Sequence, residues 1–229
     1  MASPAENTED SEPNGGSLSA NIYRTMRRWI ITGEYPQGMR LNEQRLAAAL
    51  KVSRVPVREV LPQLTTDGFV EMFPHRSAVV STWTVDDVHN LFDARLALEV
   101  EAARYATRKV ARGASMAKLA QVLHSSDEVV PTGDDLRIAE SSTLFHTRVV
   151  DLTGNGLMMS LMQTVSHRMS WLFYLTSQRD AQQACAEHHE LFDAIASGNE
   201  EVARAVAYTH IERGREPSLS SFDAVVERP

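Results

Sequence analysis

Three histidines, His146, His188 and His210, fall on three different predicted helices in the second half of the 229-residue chain. Neutral imidazole is the commonest protein ligand for transition metals, so three converging imidazoles could hold a divalent ion. Histidines in a helical core are also commonly satisfied by hydrogen bonds alone, and spacing leaves both interpretations open. The remaining histidines are predicted at the surface or in a loop, with His167 also able to point inward: His75, His89, His124, His167 and His189.

Arg95 lies one turn before Glu99 on the helix predicted to start near residue 85. An arginine that points into a bundle can hold the carboxylate of a small ligand through two parallel hydrogen bonds. The same spacing suits an ion pair between Arg95 and Glu99 within the protein. The sequence does not decide between these two roles.

Arg54 and Arg58 indicate a different chemistry, because residues four apart share one face of a helix. Two arginines on one face can reach DNA phosphates or the O6 and N7 acceptors of guanine. The flanking residues predict a helix over 43–50, a turn at Lys51-Val52, and a second helix that Ser53 caps and that ends at Asp67-Gly68. Apolar positions at helical spacing predict one small core: Leu46, Ala49, Leu50, Val57, Val60, Leu61 and Leu64.

Two short apolar runs, 69–73 and 78–80, follow these helices and flank a polar tip at Pro74-His75-Arg76. Helix, tight turn, helix and hairpin is the order of a winged helix-turn-helix, which places one helix in the major groove of DNA. Charge favours this interpretation over a simple helical core, since residues 18–82 hold nine Lys and Arg against five Asp and Glu while the whole chain carries −7.

From residue 84 to about 216 the periodicity is helical and predicts no strand. Gly and Pro breaks separate six predicted helices: 85–111, 114–128, 134–153, 155–177, 180–197 and 199–215. The predicted fold is therefore mainly α, with a winged helix-turn-helix and a small β-hairpin followed by an all-α antiparallel bundle. The predicted domain bounds are a disordered extension at 1–17, a DNA-binding domain at 18–82, a helical domain at 83–216 and a tail at 217–229.

Residues 18–82 resemble the DNA-binding domain of the GntR family of bacterial transcription regulators. The resemblance rests on an ordered series of residues: Gly33, Pro36, Gly38, Leu41 to Glu43, Leu46-Ala47, Val52 to Arg54, Pro56 to Glu59, Leu64 and Asp67-Gly68. It departs from the family at Lys51 and at Ser77, where glycine is usual, and at Pro62, which is expected to kink the second helix. The DNA contacts that it implies come from Gln44, Ser53, Arg54, Val55, Pro56 and Arg58, and from Arg76 and Ser77 of the wing.

The helical half resembles the FCD domain of the FadR subfamily, in its shorter VanR-like form. The matching residues are Arg95 with Glu99, Phe145-His146, Gly154-Asn155, Glu187-His188, Asp193 to Ile195, Gly198-Asn199 and Ala203 to His210. The resemblance implies a small organic acid as effector and a divalent metal, zinc or nickel, on His146, His188 and His210. Ser142 stands where that family has an aspartate ligand, and a neutral hydroxyl is a poorer metal ligand than a carboxylate. Arg95 and Ser142 are the predicted effector-binding residues.

The sequence predicts a cytoplasmic, sequence-specific DNA-binding regulator that binds a short inverted repeat as a homodimer and is released by its effector. The predicted dimer interface lies within residues 84–125 and uses Leu91, Leu98 and Val100. One cysteine excludes a disulfide framework, no run is long enough for a membrane span, and we expect no signal peptide. Ser115 to Lys118 match only a common S-x-x-K pattern, so no enzyme is predicted. The alternatives are a bundle that serves only for dimerisation, or a metal-dependent enzyme.

Overall fold

A computed structural model of the chain describes residues 18–73 and 78–226. The first part is the predicted winged helix-turn-helix, and it has one strand that the sequence did not predict, β1. The three short strands pair antiparallel in the order β1-β3-β2, with Arg40 opposite Val79 and Val70 opposite Val80. The elements of this domain are α1 (Leu18–Ile31), β1 (Arg40–Leu41), α2 (Glu43–Leu50), α3 (Arg54–Thr66), β2 (Val70–Glu71) and β3 (Ala78–Val80).

The turn between α2 and α3 is formed by a lysine in a backbone conformation that glycine prefers. Lys51 has φ 56° and ψ 40°, in the left-handed region. In the described parts of the chain, no other residue except glycine has a positive φ. Its amide donates to the carbonyl of Ala48 at 3.2 Å, which ends α2. The opposite end of α2 is capped by Asn42, whose side chain accepts from the amides of Gln44 and Arg45. A glycine at position 51 would adopt this left-handed conformation without the steric cost that a Cβ atom brings.

The core of this domain matches the predicted one except at Ala49 and Leu50. Ala49 is exposed and Leu50 is half-buried, whereas Ala47 lies inside with the other predicted positions. Helix α3 continues through Pro62 to Thr66 without interruption. Pro62 lies on the exposed face of α3, so the carbonyl that lacks its usual donor there faces solvent.

The second part is a bundle of six α-helices, as the sequence predicts. Helix α4 packs mainly along α9, α6 packs between α5 and α7, and α8 packs on α9. A single 3-10 turn (Val130–Thr132) follows α5. The helices are α4 (Val85–Val110), α5 (Ala117–Val129), α6 (Asp135–Leu152), α7 (Gly156–Leu175), α8 (Ala181–Ala196) and α9 (Glu200–Val226).

The last helix is longer than predicted, because α9 continues through Pro217 into the residues expected to form a tail. Pro217 is exposed, while Ser218 and Phe222 beyond it are buried. Burial of the Phe222 ring offsets the hydrogen bond that proline removes.

Helix α7 joins the two domains. The ring of Trp171 packs against Phe69 at 5.5 Å and against Trp83 at 5.9 Å between centroids. Arg27 of α1 donates to Ser170 Oγ at 2.8 Å and pairs with Glu140 of α6 at 3.0 Å. The winged helix-turn-helix domain therefore rests on α6 and α7 through both apolar and charged contacts.

The structure removes part of the argument for the predicted dimer interface. Leu91 and Val100 are buried inside the protomer and Leu98 is half-buried, so these side chains pack in the chain's own core. The exposed large apolar side chains of the bundle lie mostly on other helices, at Val85, Leu144, Leu157, Leu161, Val202 and Tyr208. Among the described residues no helix is both long enough and apolar enough to cross a membrane.

Candidate functional site

The first candidate surface is formed by α2 and α3. The side chains of Arg54 and Arg58 are 59% and 64% exposed, and both reach back to Glu43 at the start of α2. Arg58 holds this carboxylate with two hydrogen bonds, of 2.7 and 3.3 Å, and Arg54 adds a longer one of 3.5 Å. The hydrogen bonds from Arg58 lower the pKa of Glu43. The two arginines are thus on one exposed face, but they are already paired.

The other residues predicted to contact DNA are placed on the same two helices. Gln44, Ser53 and Val55 are exposed and Pro56 is half-exposed. Ser53 is the N-cap residue of α3, as predicted, and its backbone is extended, but its side chain does not make the predicted capping hydrogen bond. The amides of the first turn and the Ser53 hydroxyl are left for another partner. Arg76 and Ser77 lie outside the described residues.

The second candidate site is in the bundle, where the three predicted histidines meet. The Nε2 atom of His146 lies 3.2 Å from Nε2 of His188 and 3.4 Å from Nε2 of His210. The ligand atoms of all three residues lie within 4.8 Å of one another, and all three rings are buried. Two nitrogens bound to one ion at about 2.1 Å are about 3.0 to 3.4 Å apart, so these distances fit a shared metal ion.

Two buried carboxylates orient these rings. Glu99 Oε2 lies 2.6 Å from Nδ1 of His146, and Glu187 Oε2 lies 2.8 Å from Nδ1 of His210. A carboxylate at Nδ1 holds the proton on that nitrogen, so the Nε2 lone pair faces the centre of the cluster. This is the arrangement that a metal-binding imidazole requires.

The ionisation of the cluster follows from its burial. Burial lowers the pKa of His146 to about 4, against the opposing effect of Glu99, and it places the pKa of His188 well below its ordinary value. Burial would raise the pKa of Glu99, but the charges of Arg95 and His146 lower it to about 2. At neutral pH the two histidines are therefore neutral and Glu99 is ionised.

Arg95 is part of this cluster and is not free to bind an effector. Its Nε donates to Glu99 Oε1 at 2.8 Å, and one terminal nitrogen lies 3.2 Å from Nε2 of His146. The internal ion pair, one of the two roles left open by the sequence, is the one observed. The guanidinium also places a positive charge beside the nitrogens that would bind a cation, which opposes metal binding.

A pocket opens beside the cluster, between α5, α6, α7 and α8. Its empty volume is about 610 Å³, including the part that is open to solvent. Ser142 lines it together with His188, Phe173 and Cys185. The predicted effector residue Ser142 is thus in a pocket wall, whereas Arg95 is behind it, stacked on Phe173 at 5.3 Å.

Arg179 is the pocket residue that sequence reasoning missed. It follows α7, its guanidinium lies 4.7 Å from the Phe173 ring centroid, and Nε donates to the carbonyl of Thr176 at 3.3 Å. Within residues 18–73 and 78–226, no carboxylate forms an ion pair with it. Burial and then the positive charge of Arg95 lower its pKa to about 10, so it stays protonated at neutral pH. No motif in the sequence marks Arg179 as a pocket residue.

Comparison with known proteins identifies the chain. The family model of the FCD domain matches residues 90–213, and the model of the gntR family of bacterial regulatory proteins matches residues 18–80. The chain belongs to the GntR family. This GntR-family protein is a DNA-binding transcription regulator with an FCD effector-binding domain, consistent with the FadR-like subfamily.

Relatives of this GntR-family regulator match it along most of its length. A regulator in an unstable DNA locus of Streptomyces ambofaciens is 30% identical, covering 93% of this chain and 94% of its own. A probable D-xylose utilization operon transcriptional repressor of Paenarthrobacter nicotinovorans is 27% identical, covering 80% of each chain. The crystal structure of a putative transcriptional regulator GntR from Rhodococcus sp. RHA1 aligns with a TM-score of 0.74 and 26% identity over 90% of this chain and 99% of its own. Such relatives are named as regulators, in agreement with the prediction that this protein is not an enzyme.

Proposed function

We propose that this regulator is a repressor that binds a short inverted repeat as a homodimer and that leaves DNA when a small organic acid occupies the pocket beside the three histidines. The name of the Paenarthrobacter relative, a probable repressor of an operon for sugar use, supports repression. A two-fold symmetric repeat matches a two-fold symmetric protein, which supports the dimer.

The DNA step starts from α3. Its first turn exposes Arg54, Val55 and Arg58, and entry into the major groove brings these side chains to base edges and phosphates. Arg58 then exchanges Glu43 for an acceptor on DNA. The exchange is favourable because the Glu43 pair is exposed and therefore weak.

The acid is held by Arg179. A protonated guanidinium in a largely apolar pocket, without a carboxylate partner among the described residues, is suited to bind a carboxylate through two hydrogen bonds. This unpaired charge is the single observation that carries the effector proposal. Ser142 adds a hydroxyl to the same wall. Because Arg95 is committed to Glu99, we assign to Arg179 the anchoring role that was predicted for Arg95.

We also propose a divalent ion, zinc or nickel, on His146, His188 and His210. The convergence of their Nε2 atoms and the carboxylates at two Nδ1 atoms support it. When bound, the ion would supply a positive centre for the effector carboxylate. The three neutral imidazoles bring no negative charge, Ser142 replaces the usual aspartate, and Arg95 repels a cation. Metal and acid should therefore bind with positive coupling, each raising the affinity of the other by the same factor.

The effector proposal is tested by selecting bound sequences from random DNA and then screening small organic acids for release. Arg179→Gln should abolish release by the active acid and leave operator affinity unchanged. The matched control is Arg137→Gln, an exposed arginine on α6 that does not line the pocket. Full release of the Arg179→Gln variant at the wild-type acid concentration would overturn the assignment of Arg179.

The metal proposal is tested by elemental analysis of protein incubated with zinc or nickel. Ser142→Asp should tighten metal binding and make it less dependent on the acid, because it adds a charged ligand. If the protein holds no ion after incubation with zinc or nickel and His188→Ala leaves the response to the acid unchanged, the pocket recognises its ligand without a metal. Light scattering tests the dimer, and a monomer at micromolar concentration with or without DNA contradicts it.

A further inference from the structure

A second group of potential metal ligands lies between α5 and α8 and shares no residue with the three-histidine cluster. Cys185 and His189 are one turn apart on α8 and face Asp127 of α5. Asp127 Oδ1 accepts from Cys185 Sγ at 3.5 Å and lies 2.9 Å from Nε2 of His189. The ligand atoms of these three residues lie within 4.8 Å of one another. One carboxylate oxygen, one sulfur and one ring nitrogen thus meet at one point.

The geometry suits one tetrahedral ion. With metal–oxygen and metal–nitrogen distances of about 2.0 Å and a metal–sulfur distance of about 2.3 Å, ligand atoms are about 3.3 to 3.6 Å apart. The sulfur–oxygen distance of 3.5 Å is within this range, and the nitrogen–oxygen distance of 2.9 Å must lengthen by a few tenths of an ångström. The side chains of Asp127 and His189 are about half exposed, so an ion can reach the group from solvent and keep water in its fourth position.

The charge of this group is also appropriate, in contrast to the three histidines. An ion that displaces the thiol proton of Cys185 meets a thiolate and the Asp127 carboxylate, and these two negative charges balance a divalent cation. His189 contributes a neutral nitrogen once its proton moves to Nδ1. The sulfur ligand selects a thiophilic ion over magnesium or calcium.

We propose that Asp127, Cys185 and His189 form a second metal site, specific for a thiophilic divalent ion such as zinc. Cys185 also lines the effector pocket with Ser142 and His188. An ion there links α5 to α8 and fixes one wall of that pocket. Through this site the protein can respond to a metal ion independently of the three-histidine cluster and of the acid that it binds.

Cobalt and thiol labelling test this site in the full-length protein stripped of metal. Cobalt(II) bound to a thiolate gives a charge-transfer band in the near ultraviolet that a three-histidine site does not give. Cys185 is the one cysteine of the chain, so alkylation measures this thiol alone. We expect the cobalt band in the wild type and a loss of labelling rate of about tenfold or more when zinc is added, because a bound thiolate is a poor nucleophile.

Variants separate the two sites. Cys185→Ser should remove the band, and Asp127→Asn or His189→Gln should weaken zinc protection by about tenfold or more. His210→Gln, in the other cluster, and His89→Gln, an exposed histidine on α4, should keep both the band and the protection. The proposal is overturned if the wild type shows no band and no protection at micromolar metal, or if His210→Gln removes both signals while His189→Gln keeps them.

Discussion

Each functional region of this regulator contains a glutamate that holds arginine, and the two arrangements differ in their surroundings. On the DNA-binding surface, Glu43 pairs with Arg54 and Arg58, whose side chains are more than half exposed. In the bundle, Glu99 pairs with Arg95 and His146. The side chains of Arg95 and Glu99 are 3% and 5% exposed. Water screens the exposed ion pairs of Glu43, so the arginines can exchange this carboxylate for another partner. The ion pair of Glu99 is buried, and removal of one partner would leave an unpaired charge in the core. The first pair can serve binding, and the second can serve only structure and orientation.

Removal of the buried carboxylate should have the largest effect. Glu99→Gln leaves the Arg95 guanidinium charged and unpaired in the core, so we expect the free energy of unfolding to fall by about 3–5 kcal/mol. Chemical denaturation measures it. A loss below about 1 kcal/mol would mean that the buried pair behaves like the exposed one, and the comparison would fail.

The second prediction concerns pH and uses the metal-free protein. The pKa of His146 falls from 6.5 to about 4 on folding, so between these values the unfolded chain binds more protons and stability decreases as pH falls. The shift corresponds to about 3 kcal/mol, present above pH 6.5 and lost toward pH 4. Denaturation in chelator at pH 7.5 and pH 5 measures it. His146→Asn should flatten this dependence, and an equally steep profile in the variant would contradict the assignment.

A smaller effect is expected at the turn that positions α3. Lys51→Gly relieves the left-handed conformation of a residue with a Cβ atom and should stabilise the protein by up to about 1 kcal/mol. Lys51→Ala is the control, because it removes the charge and keeps the strained φ. If alanine stabilises as much as glycine, charge and not backbone conformation is responsible.

The smallest change in stability is expected for Glu43→Gln, within about 1 kcal/mol of wild type. Its effect on DNA affinity should be larger, because Arg54 and Arg58 no longer pair with the Glu43 carboxylate and the surface loses one negative charge. We expect tighter binding to non-specific DNA and a steeper salt dependence. Glu59→Gln is a matched control, because it removes an acidic charge from α3 without freeing an arginine. Equal gains in the two variants would show that net charge alone acts.

The two regions also differ in how far the sequence predicts them. The DNA-binding surface comes from residues 42–58, so helix bounds, turn and exposed arginines follow from local periodicity and capping. In the bundle the same reasoning gave the helices, whereas the shared site of His146, His188 and His210 was predicted from the resemblance to the FCD domain. Local spacing could not choose between the two roles of Arg95 or single out Arg179, because both depend on how the helices pack around these side chains. The Asp127, Cys185 and His189 group is hidden for the same reason.

Two errors concerned ends of helices. Ser53 is the N-cap residue of α3, but its side chain does not make the capping hydrogen bond that the sequence predicted. The sequence placed the end of the last helix at residue 215, but α9 continues through Pro217, and Phe222 beyond it is buried. Tertiary packing thus decided what residue type alone did not.

Helix α7 limits how this regulator can change in evolution. Trp171 and Phe173 are two positions apart, about 200° around the helix axis, so one faces Phe69 of the DNA-binding domain and the other faces the pocket and the His146 ring. A substitution that reshapes the pocket at Phe173 acts on the same rigid helix that supports the DNA-binding domain. A lineage that acquires a new effector through this helix must therefore readjust its operator affinity as well.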